Sequence, residues 1–209
     1  MRSDIITISS DLSGRDAAMK AAERFAAYHS LTGRDAMHIR LLTEETVCLV
    51  HGILDDFSGT FWLESDETND GLHCRICLSA DKHVNKAQED MILSVSTSGK
   101  NESSKGILGK LREIVRSSIQ EGSEEDSRFM RNMTDAWWNM GASESSLASA
   151  DPSYWSLQRY RQNLSGSADE RKEEWDELEK SIIAKLADEV KVWLKTDSTD
   201  VVIEKSFIR

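Results

Sequence analysis

The sequence predicts an α+β protein: a two-layer α/β sandwich with helices on one face of a five-stranded mixed sheet, plus a helical insert. Three observations carry that prediction. Short strand-like runs gather in hairpin pairs at both ends of the chain, and segments of helical period fill the space between them. The regular β-α-β alternation of doubly wound folds is missing, and so is G-x-G-x-x-G. At 209 residues and 39% hydrophobic composition the chain can bury one substantial core. Residues 1–209 therefore read as a single domain, with 117–170 as a helical insert within it.

Ile5-Ile6-Thr7-Ile8 is a short β-type run closed by Ser-Ser-Asp-Leu-Ser-Gly. Ala18, Ala22, Phe25 and Ala26 then recur at helical spacing between Asp16 and Tyr28. Thr32, with Asp35 three residues later, marks the start of a second helix reaching about Leu54. Its apolar residues, from Met37 and Ile39 to Cys48, Leu49 and Ile53, go most of the way round, which predicts a largely buried helix. Strands follow over Gly59 to Ser65 and Leu72 to Ser79, joined through Asn69-Asp70-Gly71, where Asp-Gly is a strong hairpin signal.

A short helix after Asn85 and a lysine-bearing loop of small residues lead into the amphipathic Ile107, Leu111, Ile114 and Val115. Beyond a polar break at Glu121 to Glu125, helices are expected around Phe129, Met133 and Trp137, and around Tyr154, Leu157, Tyr160 and Leu164. The stretch from Ala168 to Val190 reads as one long helix with Trp175, Leu178, Ile182 and Leu186 on one face. Two strands close the chain, Val190 to Lys195 and Val201 to Phe207.

The formal charge of −11 argues against nucleic acid or an anionic membrane surface as the main partner. No apolar run approaches the roughly 20 residues that span a bilayer. Met1 leads into the first strand without a signal-peptide core, and the three cysteines form no paired framework, so a cytoplasmic location is expected. Cys74 and Cys77 make a C-x-x-C, but strand geometry sends them to opposite faces, which favours structural thiols over a zinc site. His51 and His83 have no partner at metal-ligand spacing, and the expected metal set is empty.

This element order resembles the GHKL (histidine kinase-like, or Bergerat) ATPase superfamily. The closest resemblance is to the ATP-binding domains of bacterial anti-sigma-factor serine kinases. It is carried by Ile6-Thr7-Ile8, by Leu41-Leu42-Thr43-Glu44-Glu45-Thr46-Val47-Cys48-Leu49 on the second helix, and by the terminal helix and hairpin from Leu186 to Lys205. The resemblance implies three motifs. A helical glutamate acts as base with a magnesium-holding asparagine four residues on; Glu45 matches the first, and Leu49 replaces the second, without an oxygen to offer a hard cation. An adenine-reading D-x-G-x-G aligns with Ser79-Ala80-Asp81-Lys82-His83, so Ser79, or Asp81 after a two-residue slip, stands in for the aspartate without the glycines.

A glycine-bearing lid over phosphate resembles Ser98, Gly99, Lys100 and Asn101, followed by Lys105, Gly106, Gly109 and Lys110. A rival alignment places the lid glycines at Glu177 and Glu179. The reading implied is a non-catalytic regulatory or protein-interaction domain on a degenerate ATPase-like scaffold, of anti-sigma type by its resemblance. Its partner would be a protein bound in part through the insert, with a homodimer among the options. No cofactor follows from it. The alternative is an active ATP-binding serine kinase or ATPase using magnesium, with Glu45 as base. A third reading is a binder of another anionic small molecule through the lid lysines.

Overall fold

The computed structural model describes residues 1–54, 56–82, 154–165, 181–194 and 198–208. Their order is β1 (Ile6–Ser9), α1 (Arg15–Tyr28), α2 (Gly33–Ile53), β2 (Phe57–Thr68), β3 (Gly71–Lys82), β4 (Tyr154–Ser156), α3 (Leu157–Ser165), α4 (Ile182–Leu186), β5 (Glu189–Leu194) and β6 (Ser198–Ile208). The strands form one open sheet of six, ordered β1-β2-β3-β6-β5-β4. Every neighbouring pair is antiparallel. The expected five-stranded mixed sheet is thus corrected to six antiparallel strands among the described residues. The sixth is β4, which the 3.6-residue spacing from Tyr154 to Leu164 had hidden inside a helix.

Strand alternation fixes which side chains reach the core. In β2 Phe57, Phe61 and Leu63 are buried, and the register sets Phe61 opposite Leu78 and Leu63 opposite Ile76. Ile76 in turn faces Ile203, and Leu78 faces Val201. These residues form a single core with Ala18, Ala22 and Phe25 of α1 and Ile39, Leu42, Val47 and Val50 of α2. Trp155, Leu157 and Tyr160 bring β4 and α3 into the same core. Helix α2 is buried on one side rather than all round, because Met37 is 60% exposed and Cys48 lies at the surface.

Two glycines are placed by close backbone approach. The loop after β1 folds back so that the Ser9 N–H donates to the Ser13 carbonyl at 3.3 Å. Gly14 there has φ +85, and a Cβ on it would lie 2.0 Å from the Thr7 carbonyl oxygen. This return covers part of the free edge of β1, which blunts edge-to-edge pairing. The β2–β3 hairpin pairs Thr68 with Gly71, so its two-residue loop is Asn69-Asp70 and the expected Asp-Gly turn is displaced by one residue. Neither loop residue has positive φ; Gly71 takes it instead, at +146, with its Cα pressed against the Phe207 carbonyl.

The C-terminal half departs from expectation once more. The helix expected to continue to Val190 ends at Leu186 among the described residues, and Ala187 and Glu189 are already extended. Ser181 caps α4 by accepting the Ala184 N–H at 3.3 Å. No helix of the described residues is long and apolar enough to cross a membrane.

Candidate functional site

The structure describes part of the sequence-predicted constellation: Glu45 and Leu49 on α2, and Ser79 and Asp81 on β3. Ser98, Gly99, Lys100, Asn101, Lys105, Gly106, Gly109 and Lys110 lie outside the described residues, as do His83, the rival lid positions Glu177 and Glu179, and most of the 117–170 insert.

Glu45 sits at the border of the buried stripe of α2. Leu42 and Leu49, one turn to either side, are in the core, whereas Cys48 is exposed. Partial burial raises the Glu45 carboxyl above its usual range, and the neighbouring Glu44 adds to the rise. Glu44 is itself bound by the Arg15 guanidinium from the first turn of α1. Although Cys48 is exposed, partial desolvation at the helix surface pushes its thiol up, and Glu45 and Glu44 add to the rise against the pull of Arg15, so it holds less thiolate than a free cysteine. Glu45 has the perturbed acidity of a base, but among the described residues no group orients it.

Leu49 is 6% exposed and packs in the core with Val50 and the sheet. A magnesium ligand at this position would have to be an oxygen donor turned outward from the same helix. Among the described residues no group of three or more His, Cys, Asp or Glu side chains could hold a metal ion.

The adenine-motif residues lie on the other side of the sheet. Leu78 and Ala80 of β3 face the helices and are buried, so Ser79 and Asp81, which alternate with them, point to the opposite face. The Ser79 hydroxyl donates to Asp200 Oδ1 at 2.6 Å, across the β3–β6 register pair. The sheet therefore separates Glu45 from Ser79 and Asp81 instead of gathering them in one cleft. Asp200 was missed by sequence reasoning, which started the last strand at Val201. Its partner is 121 positions away, a separation that carries no local signal.

That second face has its own polar network. Glu64 accepts the Trp62 indole N–H at 2.8 Å and the Arg75 Nε–H at 3.3 Å. Arg75 also reaches Asp66 at 2.8 Å, and the Arg2 guanidinium stacks over Trp62 at 4.7 Å. The two C-x-x-C cysteines fall on opposite faces as their spacing predicts, since Cys74 lies with the core residues and Cys77 with Arg75 and Ser79. Burial pushes the Cys74 thiol up to about 12, and Cys77 rises as well, so neither is a ready nucleophile.

An open groove of about 590 Å³ runs between β1 and α1. It is lined by Asp4, by Ile6 of β1, and by Ala17, Lys20, Glu23, Arg24 and Ala27 of α1. Arg24 already faces Asp4 at 4.0 Å, and none of the sequence-predicted residues lines this groove. Comparison of the chain with protein-family models, with curated proteins and with solved structures gives no match.

Proposed function

We propose that this chain is a non-catalytic regulatory or protein-interaction domain on a scaffold resembling the GHKL ATPases, with a degenerate nucleotide site. The observation that carries the reading is the placement of Leu49. The helical turn that offers a carboxylate at Glu45 commits the next turn to the hydrophobic core. The engagement of the Ser79 hydroxyl by Asp200, on the face away from Glu45, supports it further. A protein partner and a cytoplasmic, bacterial anti-sigma-type role belong to this proposal through the resemblance, with a second copy of the chain as one form the partner can take.

The test is a thermal-shift series with Mg-ATP, Mg-ADP and ATP alone. A ligand at 100 times its Kd adds about 2.7 kcal/mol to folding stability, a readily measured rise in Tm. The expected result is no shift with any nucleotide. A shift that Glu45→Ala abolishes would overturn the proposal in favour of an ATP-binding kinase or ATPase.

A further inference from the structure

We draw no further inference here: the strongest candidate, the open groove between β1 and α1 where Lys20 and Arg24 stand with Asp4 and Glu23, carries none because nothing in the structure shows what covers it.

Discussion

Leu49 is where the chemistry of one side chain bears most on function. Its side chain fills core space between α2 and the sheet. Leu49→Asn restores the magnesium-binding residue type that the resemblance asks for, but it places an amide where no hydrogen-bond partner is waiting. The expected outcome is a loss of about 2–4 kcal/mol of folding stability in urea denaturation, with no gain of nucleotide-dependent Tm shift. Glu45 presents the opposite case, a carboxyl kept partly wet at the rim of the same helix. Glu45→Gln removes a raised, half-desolvated charge and is expected to leave stability unchanged or higher at neutral pH, with its advantage fading as pH falls and the wild-type carboxyl protonates. Denaturation of both proteins at several pH values checks this.

At the scale of elements, the β2–β3 hairpin is the clearest lesson. Alternation in Phe57–Thr68 and Gly71–Lys82 made both strands readable, and the register between them follows from burying Phe61, Leu63, Ile76 and Leu78 on one face. The turn was misread by one residue because Gly71 is required by the third strand at its side. Its Cα approaches the Phe207 carbonyl of β6, whose position local sequence does not reveal. Gly71→Ala is expected to cost about 1–3 kcal/mol through strained φ and the forced retreat of β6, measured as a lower urea midpoint. Gly33→Ala gives a contrast within the same molecule: φ is +55 but nothing lies within 4 Å, so only backbone strain opposes it and the loss is expected to be about 1 kcal/mol. The end of α4 was misread for a related reason. Helical spacing in Ile182, Leu186 and Val190 is also what a short helix followed by a buried strand produces, and β5 pairing decides between them.

For the molecule as a whole, acid sensitivity follows from how the terminal strands are fastened. Asp188, just before β5, accepts Lys205 Nζ at 2.8 Å and the Ser206 N–H at 2.6 Å. Burial pushes its carboxyl up, but Lys205 and the Ser206 amide outweigh that and hold it below the usual aspartate range. Its stabilising contribution is present above the unfolded aspartate range and is lost as pH falls through the depressed native value. Asp188→Asn is therefore expected to be less stable than wild type at neutral pH, with the gap closing toward about pH 3, as thermal unfolding across pH will show.

The sequence by itself determined the α+β class, the two N-terminal helices, the long hairpin and the paired strands at the C-terminus. Each of those rests on local periodicity, and periodicity records which face of an element meets the core. It also determined that Leu49 cannot ligate a hard cation, since that follows from side-chain chemistry alone. Only the tertiary structure decided that β4 is a strand, that all neighbouring strands run antiparallel, and that Glu45 and Ser79 stand on opposite sides of the sheet. The Ser79–Asp200 bond, the Gly71–Phe207 approach and the hydrogen bond from the Gln158 N–H to Glu189 belong with these. All of them are contacts between residues distant in sequence, and strand order, which no local pattern encodes, is what brings their partners together.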